Sequence, residues 1–116
     1  MIKLKRVYDA ADTTDGLRFL VERLWPRGIK KIDLKMDEWL KDIGPSHDLR
    51  RWFAHDPKKW DDFRKRYFAE LDSRSEIWQP LVTAARHGTV TLIYSSREPA
   101  YNNAVALKEY LEEKIK

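Results

Sequence analysis

The sequence predicts one α/β domain over residues 1–116, built as a small three-stranded mixed sheet packed by about five helices. Three observations carry that expectation. Short runs near both ends of the chain are apolar or alternating in the manner of strands; the stretches between and after them repeat apolar residues at helical spacing; and proline, glycine and capping residues separate the runs. A chain of 116 residues buries roughly two thirds of its unfolded surface, enough for one core.

Ile2 to Asp9 begins with alternation that puts Ile2 and Leu4 on one face of a strand, with Arg6 and Asp9 near its exit. Thr13-Thr14-Asp15-Gly16 is a turn signal, and Leu17 to Val21 reads as a second strand. Parallel pairing needs a crossover of about a dozen residues, so this short link predicts an antiparallel hairpin. Pro26 and Gly28 then end regular structure. Asp33 is placed to cap a helix whose apolar residues Met36, Trp39, Leu40 and Ile43 share helical spacing, with Gly44-Pro45 as its stop.

Ser46 caps a second helix carrying Leu49, Trp52 and Phe53 on one face, and Asp56-Pro57 opens a third with Trp60, Phe63, Tyr67, Phe68 and Leu71 inward. Ser73-Arg74-Ser75-Glu76 has the pattern of a capping box for a fourth helix running to Gly88, although Pro80 argues for a later start. Thr89 to Tyr94 is nearly all β-branched or apolar, as a central strand covered on both faces would be. Ala104, Leu107, Leu111 and Ile115 mark the last helix.

With 42% hydrophobic and 36% charged residues, the composition excludes a disordered tail or a membrane protein. No window approaches the roughly eighteen apolar residues of a membrane span, and Met1 to Arg6 alternates charge with apolar side chains instead of offering a signal-peptide core. The expectation is a cytoplasmic protein without a membrane partner. Cysteine is absent, which excludes disulfides, thiolate metal sites and cysteine nucleophiles together. The net charge of +4 mildly favours anionic partners.

Several segments resemble a known family: Lys5-Arg6-Val7-Tyr8-Asp9, Asp15-Gly16, Arg23-Leu24-Trp25-Pro26-Arg27-Gly28, Trp39-Leu40, Pro45-Ser46, Leu49-Arg50 and Asn102-Asn103-Ala104. Together they are similar to the bacterial and archaeal YeaO-like family, a domain of unknown function. The likeness spans almost the whole chain, and the Arg-Leu-Trp-Pro-Arg-Gly block is its most specific part. It implies a compact α/β fold and brings no assigned activity or catalytic residue. More distant members carry a cysteine near the end of the last strand, where this chain has Tyr94-Ser95-Ser96, so thiol chemistry does not transfer.

Two constellations are candidates for ligand binding. Ser95, Ser96 and Arg97 lie between the last strand and the last helix, where open α/β sheets bind ligands, and Asn102 and Asn103 follow closely. Arg23 and Arg27 flank the proline turn with guanidinium forks suited to phosphate or carboxylate. If the second and last strands are parallel neighbours, Arg23, Arg27 and Arg97 converge on a small anionic, phosphorylated or similar ligand. Arg6 and Asp9 would orient it. The competing explanation is structural: the serines cap turns, and the arginines pair with Glu22, Asp37 or Glu38.

No catalytic step, cofactor or metal is assigned, and enzymatic activity is left open. Asp9, Asp12 and Asp15 lack the glycine and terminal glutamate of a calcium loop and read as turn residues. His47, His55 and His87 share no metal-ligand spacing. P-loop and Gly-x-Ser-x-Gly signatures are missing from a chain with four glycines. One rival reading is nucleic-acid binding by Lys58, Lys59, Arg64, Lys65 and Arg66 beside Trp60 and Tyr67, against which Asp61 and Asp62 interrupt the cluster and the aromatics follow the buried stripe. The other is a protein-interaction or scaffold domain, because five tryptophans are many for so small a core.

Overall fold

The computed structural model describes residues 1–116 as a four-stranded, all-parallel sheet with four α-helices. The strands are β1 (Ile2–Arg6), β2 (Leu17–Leu20), β3 (Glu38–Trp39) and β4 (Val90–Tyr94), in the order β1-β4-β2-β3. The helices are α1 (His47–Phe53), α2 (Trp60–Asp72), α3 (Ser75–His87) and α4 (Asn103–Ile115). This corrects the expected three-stranded mixed sheet with about five helices in two places.

The first correction is the hairpin. β1 and β2 are not neighbours; β4 lies between them and pairs with both in parallel, Leu4 and Phe19 each opposite Leu92. The chain returns from β1 to β2 without an α-helix, through one 3-10 turn (Thr13–Asp15), by lying across one face of the sheet. Lys3 Nζ donates to the Thr14 carbonyl at 3.0 Å and Thr91 Oγ1 to the Asp15 carbonyl at 2.7 Å, so the sheet itself satisfies the backbone of this short link. Gly16 makes the final bend with φ +64°, and its backbone approaches Thr89 so closely that a Cβ would meet the Thr89 carbonyl oxygen at 2.1 Å.

The second is the helix expected from Asp33 to Ile43. In its place stand two isolated 3-10 turns and the short edge strand β3, with Phe19 opposite Glu38 and Leu20 opposite Trp39. The open edge of β2 wins over helical spacing because it supplies backbone partners: Asp37 N–H bonds the Arg18 carbonyl at 2.7 Å and Leu40 N–H that of Leu20 at 2.8 Å. Smaller corrections concern caps. Ser73 donates to the Glu70 carbonyl instead of closing a capping box, and α3 begins at Ser75 with the exposed Pro80 inside it. Ser46 does cap α1, accepting from Leu49 N–H at 3.2 Å, and Asp56 caps a 3-10 turn over Pro57–Lys59 that leads into α2.

The two faces of the sheet are covered differently. Ile2, Phe19, Val90, Leu92 and Tyr94 face the main core, which contains Phe53, Phe63, Tyr67, Trp78, Leu81 and Leu107 from the helices. On the other face Leu20 and Ile93 meet Val7 and Leu34, screened by Trp25, Ile29 and Met36 from the loops and Trp39 from β3. β4 is buried along its whole length, as its composition predicts for a central strand. No helix is long and apolar enough to cross a membrane.

Candidate functional site

All four strands run the same way, so the segments leaving β2 and β4 emerge on one edge of the sheet. β2 continues into Val21, Glu22 and Arg23, and β4 into Ser95, Ser96 and Arg97. A cavity of about 650 Å³ opens there, walled by Glu22, Ser95, Arg97, Arg50 and His55, with Asn102 and Asn103 at the start of α4. α1 delivers Arg50 from its helical face. Its C-terminal end reaches His55 through two non-glycine residues in the left-handed region, Ala54 at φ 47° and His55 at φ 57°. Ala54 ends α1 as its left-handed cap, with its N–H bonded to the Arg50 carbonyl at 3.0 Å.

Glu22 is the pivot of the cavity wall. Its Oε1 accepts the Ser95 N–H at 2.9 Å and the Ser95 hydroxyl at 3.3 Å. Burial raises the carboxyl above its ordinary value, while the two bonds from Ser95 and the charges of Arg50 and His55 pull it back. Neither Arg50 nor Arg97 takes part in an ion pair.

A second, more open cleft of about 490 Å³ lies on the other side of the β4 loop, and Ser95 and Arg97 line both spaces. The rest of its lining is Arg6, Tyr8, Arg27 and Gly28, with no carboxylate. Arg6 is fixed by bonds from Nε to the Ser96 carbonyl at 3.0 Å and from Nη2 to the Ser95 carbonyl at 3.2 Å, and its guanidinium lies over the Tyr8 ring. Tyr8 in turn donates its hydroxyl to the Arg27 carbonyl at 3.0 Å. Carbonyls do not cancel a formal charge, so the cleft retains three positive side chains.

The convergence expected of Arg23, Arg27 and Arg97 is therefore partial. Arg27 and Arg97 share the outer cleft, and Arg6 joins them. Arg23 turns away: its Nε donates to the Pro45 carbonyl at 2.6 Å, and it borders a separate cleft of about 220 Å³ beside Tyr67 and Arg74. Ser96, Asn102 and Asp9 are spent on local structure. Ser96 Oγ accepts from Glu98 N–H at 3.1 Å, Asn102 Oδ1 caps α4 on Val105 N–H at 3.0 Å, and Asp9 accepts from Arg6 N–H at 3.0 Å. Of the eight candidates, only Arg27 and Arg97 keep guanidinium groups with no protein partner.

Sequence reasoning passed over Glu22, Arg50, His55 and Tyr101 as site residues. A signal existed for Arg50, because Pro45, Leu49-Arg50 and Asn102-Asn103 belong to the family-like segments, and Pro45, Arg50, Asn102 and Asn103 all meet at the cavity. Asp12 and Asp15 form a capping box with each other's backbone, and Asp15 pairs with Lys5 and Arg18. No three His, Asp or Glu side chains are grouped to hold a metal ion. On the surface around α2, Lys59 and Arg66 both lie over Trp52, Arg64 pairs with Glu109, and Phe63 and Tyr67 are buried. Phe63 and Tyr67 pack in the core, whereas Trp52 and Trp60 are half-buried.

Comparison with known proteins agrees with the resemblance read from the proline turn and its companion segments. Residues 1–116 match the family DUF488-N3i, described as the inactive DUF488-N3 subclade. The uncharacterized protein YeaO of Escherichia coli (strain K12) is 44% identical over 110 residues, covering 95% of this chain and 96% of that protein. The uncharacterized proteins Mb3100c of Mycobacterium bovis and Rv3073c of Mycobacterium tuberculosis are each 36% identical over 110 residues, 95% of this chain and 92% of theirs. No solved structure matches. With the family match running from the first residue to the last, the chain belongs to the inactive DUF488-N3 subclade and is similar to YeaO over nearly all of its length.

Proposed function

We propose that this protein binds a small anionic molecule at the strand-end loops, with Arg27 and Arg97 as its contacts and Arg6 as a fixed charge behind them. One observation carries the reading: three arginines among the six residues lining the outer cleft, with no carboxylate there and no ion pair to any of the three. Like charges gathered in one cleft repel, and an anion that bridges them relieves the repulsion. The planar guanidinium fork suits phosphate or carboxylate. Binding without turnover is the form that fits best. The hydroxyls of Ser95 and Ser96 are engaged with Glu22 and Glu98, and the family is described as inactive.

The test is a thermal-shift series with phosphate, pyrophosphate and sulfate at several salt concentrations. A ligand that binds the folded chain raises its melting temperature by mass action. The wild type and Arg23→Ala are expected to respond alike, and the paired substitution Arg27→Ala with Arg97→Ala to lose the response. An equal response in the paired variant would reject the assignment.

A further inference from the structure

The outer cleft can hold an anionic group, but the larger cavity across the Ser95–Arg97 loop has a different character. It sets Glu22 and Glu98 against Arg50, His55 and Arg97, so it selects polar groups without favouring one sign of charge. Glu22 commits Oε1 to Ser95 and leaves Oε2 without a protein donor. The Arg50 guanidinium and the Asn103 amide oxygen also lack protein partners, Asn103 using its N–H on the Val21 carbonyl at 2.8 Å. Phe53 and Phe63, stacked on each other with centroids 4.4 Å apart, are buried at the floor of the cavity, and the exposed ring beside it is Tyr101.

Building on the anion-binding reading, we propose that the ligand is a nucleoside monophosphate, with its phosphate against Arg27 and Arg97 and its base in the cavity between Glu22 and Arg50. A base edge carries hydrogen-bond donors and acceptors side by side, which is what a carboxylate and a guanidinium in one cavity complement. Base faces stack on aromatic side chains whatever the sequence of the nucleic acid they come from. The cavity volume of about 650 Å³ is in the range of pockets that enclose small ligands. Ser95 and Arg97 border both spaces, and the ligand would span them over the Arg97 side chain. A bare phosphate or a sugar phosphate would leave Glu22, Arg50 and Tyr101 unused.

Titration calorimetry with the full chain separates this proposal from the one beneath it. The probes are AMP, GMP, CMP and UMP, ribose 5-phosphate and inorganic phosphate, against the wild type, Glu22→Gln and Tyr101→Ala. At least one nucleotide is expected to bind about tenfold or more tighter than ribose 5-phosphate, and either substitution to shrink that advantage while ribose 5-phosphate binds as before. If ribose 5-phosphate matches all four nucleotides, or the advantage survives both substitutions, the base site is wrong while the anion cleft stands. If no probe binds the wild type, both readings fall.

Discussion

Glu22 and Ser95, the one just past β2 and the other just past β4, are joined by the carboxylate of the first and both the N–H and hydroxyl of the second, at 2.9 and 3.3 Å. The pair ties two neighbouring loops into one wall of the cavity. Burial raises this carboxyl above 4.5, so the folded chain holds the proton more tightly than the unfolded chain does. Folding is therefore favoured below about pH 4.5, and that increment is lost as pH rises through the higher folded value. Glu22→Gln removes the titration. Urea midpoints measured against pH are predicted to show the wild type losing ground to the variant as pH climbs above 4.5. A constant difference between the two would count against a buried carboxyl.

Asp15 behaves in the opposite sense. The Asp12 N–H, followed by Lys5 and Arg18, holds its carboxyl down at about 2, and its Oδ2 lies 2.5 Å from Arg18 Nη1. Its contribution to stability is complete above the ordinary value of 3.8 and disappears as pH falls through about 2. Asp15→Asn is predicted to lower the melting temperature at neutral pH, with the gap to the wild type closing between pH 4 and pH 2. A gap that does not change with pH would show that the charge is immaterial.

Gly16 and Gly28 both have positive φ, at +64° and +78°, but only Gly16 is confined. An alanine is strained at either position because of the positive φ, and at Gly16 the ψ of −136° lies outside even the left-handed helical well. At Gly16 the added methyl also runs into the Thr89 carbonyl, whereas at Gly28 it meets open space. Denaturant unfolding should find Gly16→Ala much the more damaging, and equal losses would remove the argument for close approach.

Tyr67, fully buried in α2, donates its hydroxyl to the Ile43 carbonyl at 2.6 Å and so fastens the segment before α1 to the helical layer. Burial pushes the phenol far above its usual range, which keeps the donor protonated. Tyr67→Phe leaves that carbonyl without its partner, and the expected loss is about 1–3 kcal/mol. Chemical denaturation measures it, and an unchanged midpoint would mean that the bond is replaced by another donor.

What could be read in the sequence follows the range of the interactions. Ser46 and Asp56 announce themselves because a cap acts on backbone N–H groups only two or three residues away. The buried course of β4 is legible because a strand covered on both faces has no polar alternation. The partners of β2 are not legible. Whether Trp39 belongs to a helix or to an edge strand depends on an unpaired edge supplied by residues about twenty positions earlier. Arg23 and Arg27 look equivalent in the sequence, yet Pro45, placed by the fold, captures one and leaves the other free. Glu22 drew notice only as a possible ion-pair partner, since its role depends on Ser95 in a distant part of the chain.

The most direct test of the anion site is to follow the arginine side-chain Nε–H signals by two-dimensional NMR while inorganic phosphate is added at constant ionic strength. The account predicts that the signals of Arg27 and Arg97 move together with one saturating affinity, while that of Arg23, bonded to the Pro45 carbonyl, stays in place. Movement of Arg23 in step with the others, or no saturable movement of Arg27 and Arg97, would contradict it.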